Sequence, residues 1–401
     1  MNNDIFIEME CHQFTKAGEF ACGDDYQLLR LENENRAIAV LSDGLGSGIK
    51  AHILANMTTT MAQRFLRSNM DILQSVETIM DSLPVCQVRK ISYSTFSMCD
   101  LRVGGKTQVI EMGNPQYIHL RGTLEIPALE KRQIVSERWP DRDVEVYGLR
   151  VEPGDRLIFC SDGVTQAGLG RKEFKFGWRR SGELEFIQSL IEKDPNISAK
   201  DLAYATAFEA MSLNPNKCAD DISCLVIYLR RPRILRVITG PPFHKEHDGD
   251  FARLATEGVN DVVISGGTTA KIIERELRKK VKIDLKSVRA GDDLPPLGIL
   301  PGVGIVTEGI LTLSKVCSFL ELRAQNAAEM PSGDQIPRAA SAVIQRMLDH
   351  DWVEFIVGTK VNEAHQDPNL PVELELRRNI VKKLAEVLEK EFRKKVSIRY
   401  F

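Results

Sequence analysis

Two apolar runs in the first half of the chain end in the same three residues. Arg36–Leu41 (RAIAVL) leads into Ser42-Asp43-Gly44, and RLIFC, ending at Cys160, leads into Ser161-Asp162-Gly163. Short aliphatic runs closed by Asp-Gly turn chemistry read as strands. Two further acidic sites flank such runs: Asp24 in Gly23-Asp24-Asp25-Tyr26, and Asp220-Asp221 before ISCLVIY. A fold built on these runs must therefore place carboxylates repeatedly at strand ends.

Around these runs the first half is strand-rich. Strands are expected at Thr95–Arg102, Thr107–Met112, Tyr117–Leu120, Val144–Val151 and Asp155–Cys160, with turns at Gly104-Gly105 and Gly113-Asn114-Pro115. Residues 49–83 are expected to be helical, because Ile53, Met57, Met61 and Phe65 recur every four residues. Helices are also expected near 182–193 and 198–212. Helices, a run of antiparallel strands, then helices make an α+β pattern. The best boundary lies at 229–234, where a strand-like run ends in Leu-Arg-Arg-Pro-Arg-Ile and Pro232 disfavours helix before it. The expected domains are 1–230 and 234–401.

The second half alternates instead. Strands at Ile234–Thr239, Asp261–Ser265, Val281–Leu285 and Val353–Val357 are interleaved with helices at 251–258, 268–279, 309–323, 335–350 and 374–395. That predicts a smaller α/β domain with a partly parallel sheet.

Composition limits the function classes. The 401 residues are 43% hydrophobic and 27% charged, which is globular and not disordered. A net charge of -3 offers no basic field for nucleic acid. The start, MNNDIFIEME, lacks the basic and apolar regions of a signal peptide, and no window approaches ~18 apolar residues. The eight cysteines show no Cys-x-x-Cys spacing and read as buried hydrophobes of a reducing compartment. A cytoplasmic protein without nucleic-acid or membrane partners is expected.

Carboxylates and backbone carbonyls are the ligands that Mg²⁺ and Mn²⁺ prefer. A glycine after the aspartate lets the backbone come close enough to coordinate. An Asp-Gly after a strand is also an ordinary turn, with the Asp capping backbone donors. The residues alone leave both readings open.

The order of the motifs carries a resemblance. Gly23-Asp24-Asp25-Tyr26, Ile38–Gly48 (IAVLSDGLGSG), Glu111–Tyr117 (EMGNPQY), Pro153–Thr165 (PGDRLIFCSDGVT) and Asp220-Asp221-Ile222-Ser223 follow one another. Residues 1–230 resemble the metal-dependent protein phosphatases of the protein phosphatase 2C superfamily, within it the bacterial stage II sporulation protein E branch. The resemblance implies an α-β-β-α sandwich with a dinuclear Mn²⁺ or Mg²⁺ site. It implies that Asp43 bridges both ions, that Asp24 and the Gly44 carbonyl serve one, and that Asp162 and Asp220 serve the other. Asp43 and Asp162 would be the catalytic pair, with a metal-bound water attacking phosphoserine or phosphothreonine. Asp25 and Asp221 would support these ligands. The early arginine that holds substrate phosphate in the eukaryotic-type enzymes has no counterpart here, as is common in the sporulation branch, and residues 49–83 occupy the place of that branch's two switch helices. The motifs begin within the first 25 residues, so regulation is expected from the C-terminal half or a partner.

In the second half, Asp261–Thr269 (DVVISGGTT) is a strand, a glycine turn and a helix start, where free amides favour an anion. Gly266, Gly267, Thr268 and Thr269 are the candidate binding residues, with Thr268 or Thr269 as N-cap and Thr307 and Glu308 beside them. A tight turn without ligand is the alternative. His244, His247 and His365 are scattered and read as structural.

The expected function is a serine/threonine protein phosphatase with a C-terminal regulatory or sensory domain. The expected partners are a phosphoprotein, by analogy an anti-sigma-factor antagonist, and a small anionic ligand; the reading admits a homodimer. Two alternatives remain: a catalytically weak phosphatase-fold module that binds a phosphoprotein, and a second enzyme activity in 234–401.

Overall fold

The computed structural model describes residues 5–31, 34–83, 94–139, 143–214, 218–284, 294–325, 336–360 and 370–401. Its contacts divide the chain into two compact units, Met1–Arg231 and Pro232–Phe401.

In the first unit the strands are β1 (Phe6–Phe14), β2 (Asp24–Leu31), β3 (Arg36–Gly44), β4 (Ser94–Arg102), β5 (Thr107–Met112), β6 (Ile118–Arg121), β7 (Leu124–Glu125), β8 (Glu130–Val135), β9 (Asp143–Leu149), β10 (Asp155–Cys160) and β11 (Ile222–Arg230). The helices are α1 (Gly48–Arg67), α2 (Ile72–Ser82), α3 (Asp162–Thr165), α4 (Arg179–Lys193) and α5 (Ala199–Leu213). Two antiparallel sheets form, in the orders β1-β11-β10-β6-β7 and β2-β3-β4-β5-β9-β8.

β3, β10 and β11 are largely apolar and are buried along nearly their whole length because both faces are covered. In β3, Ala37, Ala39 and Leu41 pack with Leu157, Phe159, Leu225 and Ile227 of the facing sheet. Ile38 and Val40, pointing the other way, pack with Ala62, Leu66, Val76 and Ile79 of α1 and α2. On the far side, Ile158 and Val226 pack with Ile187, Leu202 and Ala203 of α4 and α5. The layers are therefore α-β-β-α. Each fully buried Leu or Ile contributes ~1.5–3 kcal/mol. Arg36 ties α1 to its sheet: its guanidinium donates to Asp100 (2.7 and 3.1 Å) and to the Leu66 carbonyl at the end of α1 (2.5 Å).

Residues 49–83 hold two helices, and only part of the four-residue stripe is covered: Met61 and Phe65 pack against the core, whereas Ile53 and Met57 do not. The buried residues of α1 are the small ones, including Ala51, Ala55, Thr58, Thr59 and Ala62. Ile49, Ile53 and Met57 face solvent. Small residues let α1 lie close on the sheet, and that need decides the face. β1, β7 and β8 were not anticipated; their polar residues are part of the reason, since β8 is exposed along most of its length.

The second unit contains β12 (Ile234–Thr239), β13 (Asp261–Ser265), β14 (Lys282–Ile283), β15 (Gly298–Leu300), β16 (Gly304–Thr307), β17 (Trp352–Val357) and β18 (Lys395–Tyr400), with helices α6 (Asp248–Arg253), α7 (Gly267–Leu277), α8 (Ile310–Gln325), α9 (Arg338–Asp349) and α10 (Leu370–Lys390). The sheet runs β14-β15-β16-β13-β12-β17-β18, parallel from β16 to β18 with an antiparallel edge. One face packs on α8, α9 and α10 and the other on α6 and α7. The strand order reverses between β12 and β17, where open α/β sheets bind ligands. Here the two chain segments bond each other instead: Gly358 N–H donates to the Thr239 carbonyl (2.8 Å) and Lys360 N–H to that of Pro241 (3.2 Å).

The helix expected at 251–258 lies at 248–253. The one expected to reach Lys395 stops at Lys390, where Arg393 turns left-handed (φ 50°) into β18. The charge-dense sequence runs through that break, which hid the strand. β15 and β16 are too short to show a period. Leu285, in the strand expected at 281–285, lies outside the described residues.

Glu111 on β5 is buried and accepts from the Tyr117 amide (2.9 Å) and the Ser97 hydroxyl (3.4 Å). Burial pushes its carboxyl up to about 8, against 4.5 ordinarily. The folded state thus holds this proton more tightly than the unfolded one. Its contribution is full below pH 4.5 and is lost as pH rises through about 8. Glu111→Gln keeps an acceptor for Tyr117 and removes the titration. Its melting temperature relative to wild type should rise between about pH 5 and about pH 8, by an amount equivalent to on the order of 1 kcal/mol or more. A constant difference would show that Glu111 does not titrate there.

Candidate active site

β2 and β3 pair with Asp24 directly opposite Asp43. Asp43 and Gly44 are the last residues of β3 itself, rather than a turn after it. Asp162 opens the single-turn helix α3 immediately after β10. Asp220 and Asp221 precede β11, which pairs with β10. Antiparallel pairing thus brings carboxylates from four segments to one rim.

The serines of both Ser-Asp-Gly motifs fasten that rim. The Ser42 hydroxyl donates to the Thr95 carbonyl on β4 (2.7 Å), and Ser94 donates to the Asp43 carbonyl (2.9 Å). Ser161 and Ser223 bond each other across β10 and β11: Ser161 N–H donates to the Ser223 carbonyl, and Ser223 N–H to the Ser161 hydroxyl, each at 3.0 Å. Both glycines admit backbone. A Cβ on Gly44 would lie 2.0 Å from the Ala51 carbonyl oxygen of α1, and one on Gly163 would lie 2.0 Å from that of Asp221.

The electrostatics are those of crowded anions. Burial, then the charges of Asp24, Asp162, Asp220 and Asp221, hold the Asp43 carboxyl well above the usual range. Burial also raises Asp24, opposed by the hydroxyls of Ser223 (2.6 Å) and Ser161 and reinforced by Asp221 and Asp162. Asp162 is raised by burial and by Asp220, while Gln166 donates to it at 2.7 Å. Among the described residues, Lys16 is the one cation ion-paired with these groups, its Nζ 3.5 Å from Asp220. Its amide donates to Asp221 (2.9 Å). Asp25 points away, accepting from Thr59 and, at 3.3 Å, from Asn56 of α1.

The donor set is all oxygen, which suits a hard divalent cation, and a cation would relieve the crowding. Among the described residues no three acidic, His or Cys side chains already close on one point. The residues fit a metal pair chemically, in an open arrangement.

Sequence reasoning did not single out Ser161, Ser223, Gln166 or Lys16 as partners of these aspartates. Ser161 and Ser223 lay inside the quoted motifs; Gln166 stands four residues after Asp162, one helical turn, which was a usable signal.

Residues 33–230 match the family described as Stage II sporulation protein E (SpoIIE). The first unit belongs to the stage II sporulation protein E family. Similar curated relatives are the stage II sporulation protein E of Bacillus subtilis (strain 168), 25% identical over 214 residues (53% of this chain), and that of Priestia megaterium, 26% identical over 175 residues (42% of this chain). The chain spans 24% and 29% of the length of those two relatives. A solved structure of the PP2C phosphatase domain and a regulatory-domain fragment of SpoIIE from Bacillus subtilis is 22% identical, covering 56% of this chain and 64% of that one, with a TM-score of 0.45.

The family match lies within the first unit. In the second, Gly266 is the N-cap of α7 and no side chain caps it, so neither Thr268 nor Thr269 plays the expected part. The Gly266 amide donates to the Thr307 carbonyl (3.0 Å), placing the glycine turn beside the end of β16. The Thr307 hydroxyl and Glu308 Oε2 are buried there without a partner. His244 and His247 stack edge to face at 5.8 Å; His365 lies outside the described residues.

In the SpoIIE domain the two close glycine approaches give a test of the rim. Gly44→Ala and Gly163→Ala should each destabilise the protein by about 2–3 kcal/mol in denaturant unfolding, since backbone must move. Gly267→Ala, with open space at its Cβ, should change stability by less than about 1 kcal/mol. Equal effects at all three would contradict the packing described.

Proposed function

We propose that this chain is a divalent-cation-dependent serine/threonine protein phosphatase acting on a phosphorylated regulatory protein. The observation that carries the reading is the convergence of Asp24, Asp43, Asp162 and Asp220 on one rim of a SpoIIE-family domain. Asp43 would bridge two Mn²⁺ or Mg²⁺ ions, with Asp24 and the Gly44 carbonyl on one and Asp162 and Asp220 on the other. Bound ions would supply charge neutralisation and a nucleophile competent at neutral pH. The chain's own groups hold the ligands: Ser223 orients Asp24, Gln166 orients Asp162, and Lys16 holds Asp220. By analogy the substrate is an anti-sigma-factor antagonist.

Residues 234–401 we take as a regulatory or ligand-binding domain, in which the glycine turn at 266–269 is the place for a small anion. We place the protein in the cytoplasm; among the described residues no helix is long and apolar enough to cross a membrane.

A weakly catalytic module that binds a phosphoprotein is the second reading. It is favoured by the open arrangement of the carboxylates.

Hydrolysis of p-nitrophenyl phosphate by the full chain decides between them. Turnover should require Mn²⁺ or Mg²⁺, vanish with chelator, and fall at least about 100-fold in Asp43→Asn and Asp162→Asn, on the order of 3 kcal/mol of barrier. Mn²⁺ should also raise the melting temperature of wild type, by the equivalent of about 2.7 kcal/mol at a hundredfold excess over Kd, and leave that of Asp43→Asn unmoved. A folded wild type that gains stability from phosphopeptide but turns over nothing would favour the binding module.

A further inference from the structure

The loop that follows Gln166 has no part in the account above. Gln166 donates to Asp162, and the Trp178 amide donates to the Ala167 carbonyl (2.9 Å), closing the base of a loop over residues 168–177. The loop thus springs from the helical turn that carries Asp162. In a chain of net charge -3, residues 166–180 hold five basic residues (Arg171, Lys172, Lys175, Arg179 and Arg180) against one acidic residue, Glu173.

Three of those cations are engaged. Arg171 donates to the Leu213 carbonyl (2.7 Å). Arg180 holds the Gln116 and Tyr117 carbonyls and Glu125. Arg179, at a left-handed φ of 63°, stacks its guanidinium 4.6 Å over the Phe176 ring. A non-glycine residue in that region costs on the order of 1–3 kcal/mol and clusters at binding sites. Lys172 and Lys175 are exposed, and among the described residues neither forms an ion pair, Glu173 between them lying 4.0 Å from Arg171. Between Lys175 and α4 lies an open concavity of about 740 Å³, lined by Lys175, Phe176, Arg179 and Phe186 and by the carboxylates Glu173 and Glu185, among others. Phe176 is 67% exposed and Leu169 59%, so apolar side chains stand beside uncommitted cations.

We propose that this loop docks the phosphoprotein substrate and selects phosphorylated segments with acidic residues near the phosphoserine. The occupant rests on the phosphatase reading; the charge preference rests on the loop. Lys172 and Lys175 meet the flanking carboxylates, Phe176 and Leu169 cover an apolar side chain, and the base of the loop delivers the phosphate toward Asp162. Such electrostatic complementarity acts on specificity and encounter more than on raw affinity, and salt weakens it.

The test uses the full chain and two phosphoserine peptides of equal length, one flanked by glutamates and one by lysines. Binding is read by fluorescence anisotropy at low and high salt, and hydrolysis by phosphate release. Wild type should bind the acidic peptide at least about fivefold more tightly, with the preference shrinking in salt. The double substitution K172E/K175E should abolish or invert the ratio, and K172Q/K175Q should give an intermediate one. A ratio between peptides is not moved by general loss of folded protein. No preference in wild type, or a preference untouched by charge reversal, overturns the proposal. Binding preference without turnover would leave docking standing and sink the phosphatase reading. Turnover of p-nitrophenyl phosphate without peptide preference would do the opposite.

Discussion

Asp24 and Asp43 face each other across an antiparallel strand pair, both drawn largely out of water, with Asp162, Asp220 and Asp221 near enough to repel them. Like charges directly opposite on a sheet destabilise it, and burial adds to the cost. The rest of the unit is arranged to hold this pair. Two apolar sheets clamp the strands, small residues bring α1 onto Gly44, and paired serines fix the strand ends. A fold that maintains such repulsion spends stability for a reason beyond packing, as sites that serve chemistry commonly do.

The same layout explains why the carboxylates are so widely spaced in sequence. β3 is an interior strand of one sheet, next to its edge strand β2, and β10 and β11 are interior strands of the other. Asp24 opens β2, Asp43 lies at the end of β3, and Asp162 and Asp220 stand two residues beyond β10 and two before β11, so residues 24, 43, 162 and 220 meet on the same rim. Rigid strand termini give positions a loop would not hold as well.

Much of this was legible in the sequence because burial on both faces makes strands read as apolar runs. RAIAVL and RLIFC are such runs, and their Ser-Asp-Gly endings mark where the polar rim begins. β12 and β13 were legible for the same reason. What escaped had a competing physical cause. β1, FIEMECHQF, mixes polar residues into an edge strand, and β18 follows a charged helix without a proline or glycine to mark the break. The stripe Ile53, Met57, Met61, Phe65 argued rightly for a helix, and its second half, Met61 and Phe65, packs on the core; Ile53 and Met57 face solvent because close approach selected alanine and threonine there. The capping role expected of Thr268 or Thr269 failed because Gly266 already takes the N-cap conformation. The loop at 168–177 carries no periodic pattern, and its meaning comes only from its place beside Asp162.

The central claim is that the four aspartates form one dinuclear cation site. Anomalous diffraction from crystals grown with Mn²⁺ tests it most directly. The account predicts two peaks about 3.5–4 Å apart, bounded by Asp24, Asp43, Asp162 and Asp220, with the Gly44 carbonyl turned toward one of them. No peak at that rim in crystals that show Mn²⁺ elsewhere, or a single ion touching none of the four, would contradict it.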